Sequence, residues 1–251
     1  MGHRARRCAI QRTGETVTVA VVEDEPLMRD LLRIALAQKP GLDIIGTFGD
    51  AATALQEIPL LNPAVAILDI DLGDGPSGIQ VGLLLREQCP ELGIVLLSNH
   101  FVPRFIATLP PETMRGWCYL LKKSLSDVDA LGRAIEGSAN GLVVLDPYVV
   151  AQRQPRPSSA IERLTLRQRE ILGLMAQGFS NAGIAEHLAL AVGTVANQVD
   201  HIYRELGVDS RQPELNPRAQ AILRYLLETA NEEGAPSSPA RWGEAPSEMG
   251  K

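Results

Sequence analysis

Between Val17 and about Gly137 the chain alternates short apolar runs with amphipathic segments, and this alternation limits the fold more than any other feature. "VTVAVV" (17–22), "LDIIGTF" (42–48), "AVAILDI" (64–70), "GIVLLS" (93–98) and "WCYLL" (117–121) have the length and composition of strands. Helical patterns lie between them, over 26–38, 50–58, 77–89 and 124–137. Pro26 suits a first helical turn, and Leu27, Leu31, Ile34 and Leu36 recur near helical spacing. Ser124 or Ser126 is the expected cap of the last helix. Five strands interleaved with helices predict an α/β fold, a parallel sheet covered on both faces.

The texture then changes. The stretch 141–160 ends in the polar, proline-rich "AQRQPRPSSA" and reads as a linker. Four helical segments follow within 161–230, the last with Asn216 as N-cap and Pro217 at its first position. Residues 1–15 read as a disordered basic tail and 231–251 as a disordered polar one. That leaves 16–140 and 161–230 as two domains, within the range that 251 residues allow. No stretch approaches the roughly 18 apolar residues of a membrane span. Cys8, Cys89 and Cys118 form no CxxC pair and leave one thiol over, which fits a reducing, cytoplasmic setting. The net charge of −6 gives no global footprint for nucleic acid, so DNA binding would need a local surface.

In doubly wound sheets ligands sit outside the carboxyl ends of the strands. Here those ends carry Glu23 and Asp24, Asp69, Ser98 and Lys122. Adjacent first and third strands would bring three carboxylates together. Like charges about 4 Å apart repel by roughly 4 kcal/mol at an effective dielectric near 20. Such a cluster must take a proton or a cation, and Mg²⁺ suits hard oxygen ligands beside a phosphate. The lean loop Gly73-Asp74-Gly75-Pro76 would let backbone approach a ligand closely.

With "VVEDEP", "ILDIDLGDGPSG", Ser98 and "YLLKK" in this order, residues 17–140 resemble the receiver domain of two-component response regulators, a flavodoxin-like doubly wound five-stranded sheet. The resemblance implies that Asp69 accepts a phosphoryl group from a sensor histidine kinase. Glu23, Asp24, Asp69 and the Asp71 backbone carbonyl would hold Mg²⁺. Ser98 and Lys122 would contact the phosphate, and Tyr119 would switch with Ser98. A calcium loop fits poorly, because Asp74 and Gln80 stand where that motif needs glycine and glutamate. A haloacid-dehalogenase-like phosphatase would use Asp71 as acid/base, but Gly73 replaces its threonine or valine.

Residues 164–208 resemble a LuxR-type helix-turn-helix, so the whole chain resembles a NarL/FixJ-class response regulator. Thr165 and Gln168 form a capping-box pattern, Gly178 and Gly207 fit helix ends, and Ser180 fits an N-cap. The expected core is Leu164, Ile171, Leu172, Ile184, Leu188, Val195, Val199, Ile202 and Leu206. The third helix, about Thr194 to Leu206, should enter the major groove, with Thr194, Asn197, Gln198, Arg204 and Arg211 as DNA contacts. The family's Ser-Pro-Lys-Thr-Val-Lys-Asn-His reads Ala191-Val192-Gly193-Thr194-Val195-Ala196-Asn197-Gln198 here, without the cap, the proline or either lysine. From Glu162 to Glu228 there are seven Arg/Lys against eight Asp/Glu. Two functions follow: a phosphorylation-controlled, promoter-binding transcription regulator, or a phospho-switched interaction module whose helix-turn-helix has lost DNA. The family also implies a homodimer, with the apolar face of 218–228 as a possible seam.

Overall fold

The computed structural model describes residues 16–100, 114–208 and 216–231. Strands β1 (Val17–Val22), β2 (Leu42–Phe48), β3 (Val65–Asp69), β4 (Gly93–Ser98) and β5 (Trp117–Leu121) lie where the apolar runs predict them. A sixth strand, β6 (Val144–Leu145), completes a parallel sheet in the order β2-β1-β3-β4-β5-β6. The expectation of five strands is therefore corrected to six. Two residues are too few to show a period, and the run "LVVL" lies inside the expected linker.

Successive strand residues point to opposite faces, and the sheet uses both. Val19, Val21, Ile67, Val95, Leu97 and Leu120 pack under α1 (Pro26–Ala37) and α4 (Val128–Ala139). Ala20, Val22, Leu68, Ile94 and Leu96 pack under α2 (Ala51–Leu61) and α3 (Gly78–Gln88). In α1 the sheet receives Leu32 and Leu36, whereas the row Leu27, Leu31 and Ile34 faces outward at 67%, 52% and 49% exposure. Asp127, not Ser124 or Ser126, caps α4 by accepting the N–H groups of Asp129 and Ala130, because Lys122–Ser126 form a 3₁₀ turn of their own.

The stretch 141–160 is structured. After β6 come α5 (Pro147–Ala151), β7 (Arg153–Pro155) and the start of α6 (Ala160–Arg163). The helices α7 (Leu166–Ala176), α8 (Asn181–His187), α9 (Val192–Glu205) and α10 (Pro217–Glu228) follow, then β8 (Thr229–Asn231), which pairs antiparallel with β7. The caps fall as predicted. Thr165 and Gln168 form the capping box, Ser180 and Asn216 accept from Gly183 and Arg218, and Gly178 and Gly207 are left-handed. Every expected core residue of this half is buried except Leu188, which is partly so.

Ala219, Ala221, Ile222, Tyr225 and Leu226 of α10 are buried within the chain, so this apolar face is not a free seam. The two halves share one apolar cluster. Arg133 of α4 stacks its guanidinium 4.3 Å from the Phe179 ring centroid and donates to the Gln177 carbonyl at 3.3 Å. Arg211, the tail 1–15 and residues 232–251 lie outside the described residues.

Candidate phosphoryl site and nucleic-acid interface

Because β1 and β3 are neighbours, their carboxyl ends bring Glu23, Asp24 and Asp69 together. One carboxylate oxygen from each lies within 4.8 Å of the other two. Glu23 and Asp69 are buried at 0% and 2% exposure, and Asp24 opens to solvent. Lys122, the first residue beyond β5, reaches back with its side chain 8% exposed. Its Nζ lies 2.9 Å from Asp69 Oδ2 and 2.9 Å from Glu23 Oε1. Glu23 Oε2 is equally near that ammonium but outside hydrogen-bonding direction, and it has no hydrogen-bond partner.

Burial pushes the Glu23 carboxyl up, and the Asp69 charge adds to this, against the pull of the Lys122 hydrogen bond. Desolvation pulls the Lys122 ammonium down, but its bonds to Asp69 and Glu23 win and hold it above the usual lysine value. Three carboxylates face one ammonium, an imbalance that a divalent cation removes. The all-oxygen donor set, with Asp24 open to solvent, fits such an ion.

The β3–α3 loop is shaped around this cluster. Asp71 is exposed, and its N–H donates to Asp69 Oδ1 at 3.3 Å. Gly73 has φ +68°, and a Cβ there would stand 3.4 Å from Asp24 Oδ2. At Gly78 the constraint is steric, since a Cβ would meet the Asp69 carbonyl oxygen at 1.9 Å. Ser77 caps α3 in a capping box with Gln80 and fixes where this loop ends.

Ser98 and Tyr119 are not brought onto Asp69. The Ser98 hydroxyl donates to the His100 carbonyl at 2.7 Å, and the Tyr119 hydroxyl donates to the same oxygen at 2.5 Å. Tyr119 is 1% exposed, so its ring is already turned inward.

Sequence reasoning missed Arg29. Its Nη1 donates to the Glu23 carbonyl at 2.6 Å and to the Asp24 carbonyl at 3.3 Å, which clamps the acidic turn. Helical side chains lean toward the N-terminus, so an arginine one turn inside α1 covers the loop before it. That offset was the available signal.

Residues 19–124 match the family described as the response regulator receiver domain, and residues 162–219 match the LuxR family of bacterial regulatory proteins. A probable transcriptional regulatory protein NarL of Mycobacterium tuberculosis is 30% identical over 218 residues, covering 85% of this chain and 97% of that protein. The chain is a response regulator of the NarL/FixJ class. The nitrate/nitrite response regulator NarP of Escherichia coli is 31% identical to this regulator over 198 residues, 77% of the chain and 90% of NarP. The DNA-binding transcriptional activator DevR/DosR of M. tuberculosis is 29% identical over 201 residues, 78% and 90% of the two. This response regulator thus joins a receiver to a LuxR-type DNA-binding domain. Neither the dehalogenase-like phosphatase nor the interaction module is favoured by these relatives.

The output half of the regulator carries its candidate contacts on α9. Thr194, Asn197 and Arg204 are exposed, while Gln198 is partly buried and accepts from Gln168 Nε2 at 3.2 Å. Ala191 caps α9 without a side-chain bond, as the missing serine predicts. The described arginines of this half all serve it internally. Arg163 binds Glu205, Arg167 binds Glu170, Arg169 holds two carbonyls, Arg218 holds Phe179 and Arg224 meets Glu228. Arg204 lies 2.9 Å from His201 Nδ1.

Proposed function

We propose that Asp69 is the phosphoacceptor of this regulator and that its phosphorylation governs binding of promoter DNA through α9. An Asp69 carboxylate oxygen attacks the phosphorus of a phosphohistidine on a sensor kinase. An O–P bond forms, the N–P bond breaks, and the imidazole leaves with that electron pair. Lys122 neutralises charge gathering on the phosphoryl oxygens, and the Asp71 N–H orients the nucleophile. Mg²⁺, when held by Glu23, Asp24, Asp69 and the Asp71 carbonyl, supplies further charge neutralisation. The same self-phosphorylating chemistry would run with a small phosphodonor.

The product carries about two negative charges. Turning the Ser98 hydroxyl onto it takes one of two donors away from the His100 carbonyl and leaves Tyr119 as the other. The switch is therefore a change of partner at one backbone oxygen. On the output side Thr194, Asn197, Gln198 and Arg204, with Arg211, would face the major groove.

One observation carries the reading: a buried ammonium bridges Asp69 and Glu23 while Asp24, in the same oxygen cluster, stays open to solvent. Family membership supports a cytoplasmic homodimer, and the strand pairing favours a receiver that reaches Leu145 and an output domain from Arg153 to Asn231, each wider than the 16–140 and 161–230 expected from the sequence. No helix among the described residues is long and apolar enough to cross a membrane. Phosphorylation by acetyl phosphate, with and without Mg²⁺, tests the site on wild type and Asp69→Asn. Label in wild type alone, dependent on Mg²⁺, is expected; persistent label in the variant overturns the assignment.

A further inference from the structure

Asp146 has no exposed surface and stands apart from the acidic cluster. Its two oxygens serve two different elements. Oδ2 accepts the Leu121 N–H at 2.9 Å, at the end of β5, and Oδ1 accepts the Tyr148 N–H at 2.8 Å, in the first turn of α5. Leu121 directly precedes Lys122, whose ammonium holds Glu23 and Asp69. The next residue, Lys123, sets its ammonium 3.3 Å from the centroid of the Tyr148 ring. The end of β5 is thus tied to the start of α5 twice.

From α5 the contacts continue into the output half. The Tyr225 hydroxyl of α10 donates to the Val150 carbonyl at 3.1 Å, and Val149 and Val150 are buried in the cluster that contains Leu174 and Tyr225. Asp146 is also the only residue between β6, which ends at Leu145, and α5, which begins at Pro147.

We propose that Asp146 is a positioning residue that couples the phosphoryl site to the output domain. This rests on the reading of Asp69 given above. Lys122 follows Leu121 directly, so any strain set up when its ammonium turns from two carboxylates toward an incoming phosphoryl group enters the backbone at the end of β5. A buried N–H left without an acceptor costs free energy, so the Leu121 N–H carries the Asp146 carboxylate along. The first turn of α5 follows, and through Val150 so does Tyr225. Coupling of this kind is reciprocal: whatever fixes α5 from the output side alters how Lys122 sits at Asp69. Asparagine at 146 keeps the shape but turns an NH₂ toward one of the two N–H donors, so only one link survives.

Hydrogen exchange on the full chain, with and without beryllofluoride and Mg²⁺ as the phosphoryl mimic, tests this. In wild type, slowed exchange over 69–78 should accompany a change over 147–151 and 217–228. In Asp146→Asn the slowing at 69–78 should persist while the response at 217–228 falls by about fivefold or more. Tyr225→Phe, which deletes one oxygen, should lose the same distant response and guards against misfolding of the first variant. A full response at 217–228 in both variants overturns the coupling. So does a wild type that responds at 69–78 and nowhere beyond. A wild type with no slowing at 69–78 overturns the Asp69 reading instead, and the coupling with it.

Discussion

The first helical residue of α3, Gly78, packs its Cα against the backbone of Asp69, leaving no room for a Cβ beside the Asp69 carbonyl oxygen. The neighbour is backbone at the end of a central strand, not the tip of a flexible side chain. Gly78→Ala should therefore displace either α3 or the end of β3. Overpacking of this kind costs about 1–3 kcal/mol. Urea unfolding should show the loss, and phosphorylation of Asp69 by acetyl phosphate should slow in the same variant. A variant as stable and as reactive as wild type would show that the loop adapts freely.

Removing the shared cation should expose the cost of the acidic cluster. Lys122→Met leaves Glu23 and Asp69 buried without their ammonium. Breaking a buried ionic group by deleting one partner costs about 3–5 kcal/mol. Mg²⁺ should restore part of this, since a cation bound only by the folded state stabilises it by mass action. The check is the urea midpoint with and without Mg²⁺, where the variant should gain more than wild type. A variant indifferent to Mg²⁺ would contradict the metal assignment.

Alkaline stability should be limited by two buried acids. Burial pushes the Cys118 thiol from an ordinary value of 9.0 up to about 12, and the Tyr225 hydroxyl from 10.0 up to about 12. The folded state keeps these protons where the unfolded chain has already lost them. Their contribution is intact below about pH 9 and is lost as pH climbs toward about 12, each at up to 1.4 kcal/mol per pH unit. Unfolding measured across that window should show the decline, and Cys118→Ala should make it shallower. At pH 8 Cys118 should also resist a thiol reagent until the chain is unfolded.

DNA affinity should respond weakly to salt. The described arginines of the output half are engaged with its own carboxylates, carbonyls and His201, and α9 carries no lysine. Each phosphate neutralised contributes about −0.9 to the slope of log K against log salt, so two or three contacts per protomer predict a slope near −2 to −3. Gly193 sits at an open position with nothing within 4 Å of a Cβ. Gly193→Lys should raise affinity and steepen that slope by about one unit per protomer. Titrations on a promoter duplex at several salt concentrations read both effects.

Much of this regulator can be read from its residues, because strand ends and helix caps are local signals. Apolar runs placed β1 to β5 within a residue or two, and the capping chemistry of Thr165, Ser180 and Asn216 placed the output helices. What escaped was long-range. Leu27, Leu31 and Ile34 repeat like a core face, yet the sheet takes Leu32 and Leu36, and periodicity alone cannot say which side of a helix faces inward. Val144–Leu145 became a strand only because β5 offered an edge. Asp146 acts by bonding to backbone 25 residues away, which composition does not record, whereas Arg29 reaches back only five and six residues and was legible from its offset. The apolar face of α10 resembled a seam because nothing local marked Val150 as its partner.

The ladder between Arg153–Pro155 and Thr229–Asn231 sews the chain leaving the output helices back onto the chain that enters them. With that loop closed, the entry and exit of the output half are clasped together, and the route back to the sheet runs through the single residue Asp146, followed by Pro147 with its fixed torsion. Loosening one side of the clasp strips the other of its partner, so Arg153 and Asn231 should fray as a pair.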